Sequence, residues 1–255
     1  YDEAMSKFNE FLDEFPVSKY SVQCYLREGD IFYNLTQYEK AELSYNKVLS
    51  TQPKTRFAMY ATYGIAQSYF KQKRYDEALQ YYENVKEHFY KEPIAISALF
   101  LMARCLDNME KYEESLAIYN EIISRYQESD FIDDAYFWKA NCYFEMKKYE
   151  DSIAVYNEAM IKFTNSDLID DMYYNMAWSY LKLKDYKEAL NSFEVVLNKS
   201  SDELLKIGAL CRKGDIYLEM QNLGDAITTY DRVLNEYSSN PYSDYAQYQL
   251  GITLS

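Results

Sequence analysis

The chain has 255 residues, 48% of them hydrophobic, with only 6 Gly and 4 Pro and a formal net charge of −14. That charge argues against nucleic acid, which needs clustered Lys and Arg, and against anionic membrane surfaces, while favouring solubility and a basic partner. No apolar run reaches the ~18 residues of a spanning helix, so direct membrane insertion is not expected, and the scarcity of turn formers suits helices joined by short loops.

From the first residue onward one pattern returns every 37 residues. Its leading position holds Tyr1, Tyr38, Tyr75, Tyr112, Tyr149, Tyr186 and Leu223. Three residues on stand Ala4, Ala41, Ala78, Ser115, Ser152, Ala189 and Ala226. Four further on stand Phe8, Tyr45, Tyr82, Tyr119, Tyr156, Phe193 and Tyr230. A fixed period of this kind without insertion or deletion predicts a stacked array of one helical unit, each copy burying its face on the next.

The first predicted element is a half repeat over 1–15. It opens in mid-repeat with no initiator Met, so the chain is read as a fragment of a longer protein. Six helix pairs over 18–237 follow. The start of the first helix is marked by Ser18, Thr55, Ser129, Ser166 and Asn240, capping types that share one position in the period, with Pro93 and Pro241 one residue later in the first turn. It runs about 16 residues, over 56–72 or 130–146 for example. Its middle is kept small by Gly29, Ala66, Ala103, Ala140, Ala177, Gly214 and Gly251, which predicts close helix approach. Two or three residues then lead to the second helix, clearest over 75–89, where Tyr75, Ala78, Leu79, Tyr82, Val85 and Phe89 form one apolar face. Acids fill its first turn, and His88, Arg125, Lys162 and Lys199 its last, as the helix dipole favours. A closing half repeat covers 240–255. No linker interrupts 1–255, which is therefore expected to be a single array.

Cys24, Cys105, Cys142 and Cys211 lie in no Cys-x-x-Cys pair. Helix pairs packed roughly 10 Å apart stand beyond the ~7 Å Cα reach of a disulfide, so these are expected to be small buried residues.

A small residue, an aromatic three later, then Tyr-x-x-Ala and another aromatic, as in Ala66, Tyr69, Tyr75, Ala78 and Tyr82, resembles the tetratricopeptide repeat (TPR). The resemblance covers essentially the whole chain. It implies an all-α fold, a right-handed α-solenoid of about 14 helices in antiparallel pairs, whose first helices line a concave surface that binds proteins without catalysis. This period is 37 where the usual one is 34, and the turn before the Tyr reads Lys73-Arg74 or Lys147-Lys148 where Gly or Asn is usual. The additional residues fall in stretches such as Phe15-Pro16-Val17-Ser18 and Tyr237-Ser238-Ser239-Asn240-Pro241. An aromatic-Pro-x-Ser stretch before a long first helix is similar to bacterial TPR proteins of the Tol-Pal and outer-membrane-assembly type. That implies the bacterial periplasm or cell envelope rather than the cytoplasm.

With TPR geometry, the candidate groove residues are Tyr33, Tyr63, Phe70, Phe100, Arg104, Phe137, Asn141, Phe144, Tyr174 and Trp178. Rigid rings there would anchor a protein or peptide segment, basic or apolar; the alternative is that they pack between first helices. Carboxylate-clamping relatives resemble one another in a basic groove column. Here the corresponding column reads Asp30, Gln67, Arg104, Asn141, Trp178 and Asp215, which disfavours an acidic tail as ligand. Asp133, Asp134, Asp170 and Asp171 form an acidic patch at helix starts, where the dipole already favours negative charge. Their spacing is not that of a calcium loop, so no metal is expected. His88 is the only histidine. No phosphate loop, dinucleotide fingerprint or nucleophile elbow appears, so neither a catalytic residue nor a cofactor is assigned. The expected function is a non-catalytic binding scaffold. The alternative is a structural module that self-associates through terminal helices left uncovered.

Overall fold

The computed structural model describes residues 1–237 and 240–255. Ser238 and Ser239, within the inter-repeat stretch noted above, lie outside the described residues. Among those described there are 14 helices and no strand, in two compact units, Tyr1–Ile132 and Asp133–Ser255.

The first unit contains α1 (Asp2–Glu14), α2 (Ser21–Asn34), α3 (Tyr38–Thr51), α4 (Arg56–Lys71), α5 (Tyr75–His88), α6 (Ile94–Asn108) and α7 (Tyr112–Arg125). The second runs through α8 (Ile132–Glu145, from Asp133 on), α9 (Tyr149–Lys162), α10 (Ile169–Lys182), α11 (Tyr186–Lys199), α12 (Glu203–Glu219), α13 (Leu223–Glu236) and α14 (Ser243–Leu254). From α2 to α7 each helix of the first unit packs on the next, and α2 also touches α4. In the second unit α9 to α14 pack in the same succession, and α10 also touches α12. Each unit is thus an α-solenoid with local contacts.

The core follows the periodic columns. Tyr82, Tyr119, Tyr156, Tyr230 and Phe193 are fully buried side chains, and Ala66, Ala103, Ala140 and Ala177 are 0% exposed. The small column is needed because rings lie against it. A Cβ added at Gly29 would stand 2.4 Å from Tyr45, and one at Gly64 2.5 Å from the same ring, so Tyr45 is clamped between α2 and α4. Gly214 meets Tyr230 in the same way, at 2.5 Å. Gly251, in the same column, meets nothing within 4 Å. All four cysteines are buried, and none of them forms a disulfide.

Each second helix from α3 to α13 begins on its leading residue, Tyr38 to Leu223. Three residues form the preceding turn. Its middle residue, Thr36, Lys73, Glu110, Lys147, Lys184 or Gln221, has φ between 57° and 61° although none is Gly. The turn is closed by main-chain bonds: Arg74 N–H donates to Tyr69 O at 2.9 Å and Lys73 N–H to Phe70 O at 3.0 Å. The same two bonds recur in all six turns. This is the Schellman closure, which usually places Gly at the left-handed position.

The first helices mostly start later than the capping residues predict. Of the five residues at that position, Thr55 alone caps its helix directly, accepting from Ala58 N–H at 3.4 Å. Ser18, Ser129, Ser166 and Asn240 stand three residues ahead of their helices instead. Their side chains accept from the amide two residues on, for Ser166 from Leu168 N–H at 3.1 Å and for Asn240 from Tyr242 N–H at 2.7 Å. Polar side chains of this type close a local turn as readily as a helix end. Pro93 accordingly precedes α6, with φ −54° already helical, rather than lying within its first turn.

Candidate functional site

The ten candidate groove residues all lie on first helices. Seven are rings packed against neighbouring aromatic side chains. Tyr33, Phe70 and Phe144 meet the leading Tyr38, Tyr75 and Tyr149 edge-on at 5.7, 5.6 and 5.4 Å. Tyr63, Phe100 and Tyr174 lean on the core rings Tyr82, Tyr119 and Phe193 at 5.7, 6.2 and 5.4 Å. These six are half-buried. Phe137 packs on Tyr156 at 6.0 Å and is itself buried, 8% exposed. Edge and offset contacts of this kind fix ring orientation.

The polar column is occupied by internal partners. Asp30 accepts from Tyr45 Oη at 3.0 Å and pairs with Arg27 at 3.0 Å. Arg104 pairs with Asp107 at 2.9 Å. Asn141 Oδ1 accepts from Tyr156 Oη at 3.0 Å and from Asn175 at 3.4 Å. Asp215 accepts from Tyr230 and Tyr245, each at 2.7 Å, and from Arg212 at 2.6 Å. Arg212 lies over the rings of Trp178 and Tyr245, 5.4 and 5.1 Å from their centroids.

Three of the candidates come together in one cleft of the second unit. Asn141, Phe144 and Glu145 of α8 face Asn175, Trp178 and Lys182 of α10 across a volume of about 360 Å³. Lys182 Nζ sits 6.0 Å from the Trp178 ring centroid. A cleft of about 480 Å³ in the first unit is lined by Tyr63, with Asp30, Tyr60 and Gln67. Asn175 and Arg212 were missed in the sequence. They share a column with Arg27, Gly64, Leu101 and Trp138, one residue past that of Tyr63, Phe100, Phe137 and Tyr174, and its mixed chemistry hides it.

The acidic residues lie in the first turns of α8 and α10. Asp133 accepts from Ser166 Oγ at 2.6 Å. Burial first, then Asp170 and Asp202, holds the Asp171 carboxyl above its ordinary range. Burial also pushes the Cys211 thiol up to about 11 and Cys105 to about 12, far from the thiolate a nucleophile needs. No helix among the described residues is long and apolar enough to cross a membrane.

Comparison with known proteins agrees with this arrangement. Family models of the tetratricopeptide repeat match residues 58–128, 26–87 and 207–240. A model described as anaphase-promoting complex, cyclosome, subunit 3 matches 124–196. No curated protein matches the sequence. Among solved structures, a tetratricopeptide repeat protein from Parabacteroides merdae is 16% identical with a TM-score of 0.61, covering 100% of this chain and 99% of its own. The C-terminal part of a TPR repeat-containing protein from Cytophaga hutchinsonii is 14% identical, TM-score 0.71, covering 90% and 87%. YrrB, described as a TPR protein with an unusual peptide-binding site, is 17% identical, TM-score 0.57, covering 79% and 96%. The repeat models together span more than half of the chain, and the helix pairs, small column and ring column stand where the repeat requires. The chain belongs to the tetratricopeptide repeat family.

Proposed function

We propose that this protein is an interaction scaffold whose second unit holds an apolar or aromatic side chain of a partner segment in the cleft between α8 and α10. The observation that carries this is the pairing of Phe144 and Trp178 as half-exposed rings across one cleft. Each ring is held from behind, Phe144 by Tyr149 and Trp178 by Arg212. Such preorganised rings lose little freedom when a partner docks. Asn141 and Asn175 bring amides to the same cleft, suited to a partner main chain. Glu145 and Lys182 contribute one charge of each sign. That leaves the lining near neutral and suits an uncharged segment better than an acidic tail. YrrB, with its peptide-binding site, lends the reading support by analogy of fold.

The test is titration with acetylated pentapeptides centred on Phe, Leu or Glu, followed by calorimetry in every variant and, where Trp178 is present, through its indole resonance. The expected result is a saturable shift with Phe or Leu and none with Glu. Phe144→Ala with Trp178→Ala should abolish binding while helix content is retained. Equal binding by the double variant, or a preference for Glu, overturns the reading.

Self-association is the second reading, favoured by Tyr248 and Leu254, which are 67% and 66% exposed on α14. Light scattering that gives one monomer mass at every concentration removes it.

A further inference from the structure

We infer that the first helix pair carries a separate binding site, for a Lys or Arg side chain of a partner, in the cleft that α1, α2 and α3 form around Glu28. Glu28 lies about half a turn round α2 from Leu26 and Asp30, away from the groove positions. It is only 4% exposed. Among the described residues no hydrogen bond or ion pair reaches it, yet its oxygens are not sealed off, because the sealed polar atom without a partner is the Tyr82 hydroxyl. Glu28 instead lines a cleft of about 660 Å³ with Met5 and Asn9 of α1 and Lys40, Leu43 and Lys47 of α3. A cleft of that size has room for an extended Lys or Arg side chain.

The period shows what is missing. The counterparts of Glu28 are Ile65, Met102, Lys139, Met176, Lys213 and Leu250, apolar or cationic and never acidic. Lys213 is also buried, 9% exposed, and it pairs with Glu194 on the preceding second helix. The same period places the residue equivalent to Glu194 at Asn9 of α1, an uncharged amide. The first pair therefore has the buried charge without its counter-ion. The neighbouring lysines do not supply one. Lys47 Nζ lies over the Tyr25 ring at 4.8 Å and Lys40 Nζ over Phe32 at 5.5 Å. Burial raises the Glu28 carboxyl, with Lys47 opposing the rise only through its field. A guanidinium or ammonium entering between Met5 and Leu43 would pair with and desolvate the carboxylate together, the condition under which a buried charge is stable. A chain of net charge −14 would draw such a partner.

The probe is n-butylguanidinium, with n-butylurea as its neutral counterpart, followed through the methyl resonances of Met5 and Leu43. Saturable shifts with the guanidinium and none with the urea are expected. Glu28→Gln should weaken binding about tenfold or more, roughly the 1.4 kcal/mol that a tenfold change represents. Glu28→Met, which copies Met102 and Met176, serves as a second folded variant and should abolish binding. Neither should alter peptide binding at Trp178, which separates this site from the groove. Unchanged affinity in Glu28→Gln overturns the proposal, as do shifts scattered over the acidic surface. Binding that appears only after Lys47→Ala also overturns it, because Lys47 would then be the counter-ion.

Discussion

Trp178 and Phe193 stand where the next pair holds a hydrogen bond: there Tyr230 Oη donates to Asp215 at 2.7 Å, and Trp178 and Phe193 lack both the acceptor and the hydroxyl. The same spacing of 15 residues joins Tyr45 to Asp30 and Tyr156 to Asn141, each at 3.0 Å. Where Arg104 replaces the acceptor, Tyr119 turns to Asp107 at 2.6 Å. Tyr82, opposite Gln67, is left with a buried hydroxyl and no partner. Removing a hydroxyl that binds a carboxylate costs about 1.5–3 kcal/mol, whereas an unmet buried one already costs about 1–3. Tyr230→Phe should therefore lower stability by about 1.5 kcal/mol, and Tyr82→Phe should leave it equal or raise it by about 1. Urea unfolding of both variants checks this. A larger loss in Tyr82→Phe than in Tyr230→Phe would contradict it.

Glycines in one helical column should respond oppositely to alanine. In Gly29→Ala and Gly214→Ala the new methyl meets Tyr45 or Tyr230 at 2.4–2.5 Å. Overpacking of this kind costs about 1–3 kcal/mol. At Gly251 nothing lies within 4 Å, so Gly251→Ala should gain about 0.5–1 kcal/mol from helix propensity. Thermal melts of the three variants decide the matter, and equal signs at all three sites would refute it.

The six left-handed turn residues store strain. The αL conformation costs a non-Gly residue about 1–2 kcal/mol, partly offset by the chain entropy that Gly forfeits on folding. Lys147→Gly and Thr36→Gly should each stabilise by about 0.5–1 kcal/mol, Thr36 more because it is β-branched. Lys147→Val should destabilise. A melting temperature that falls in both Gly variants counts against the strain.

Asp171 should make stability fall as pH rises. Its folded carboxyl is held up by burial, Asp170 and Asp202, so the fold binds the proton more tightly than the unfolded chain does. Stability is therefore lost from just below the ordinary value of about 3.9 upward through the raised one. Asp171→Asn removes this penalty, although it gives up some favourable charge at the start of α10. Its stability relative to wild type should climb between pH 3 and pH 7. A flat difference across that range would rule this out.

Much of the fold was legible because it depends on contacts repeated in every copy. From Tyr38 to Leu223 the leading residues mark the first residue of the second helices, and Ala66, Ala140 and Ala177 are sealed as their smallness implied. Helix starts were less legible, because Ser18, Ser129, Ser166 and Asn240 satisfy a turn ahead of the helix, and the same residue types serve either purpose. The groove was legible as a set of positions but not as a site. Asn175 and Arg212 sit in a column of unlike residues, and the tyrosine-to-acceptor bonds join two helices that no spacing within one helix connects. Glu28, by contrast, is the one acid in a column otherwise made of Ile65, Met102, Met176, Leu250 and the lysines Lys139 and Lys213.

None of the residues of α1 is fully buried. It is the helix with least to lose by detaching, so its amide protons should exchange with deuterium earliest in the first unit. The Glu28 cleft is walled partly by Met5 and Asn9 of that helix. An occupant bridging α1 to α3 would act as a clasp, and its arrival would be recorded as slower exchange along residues 2–14.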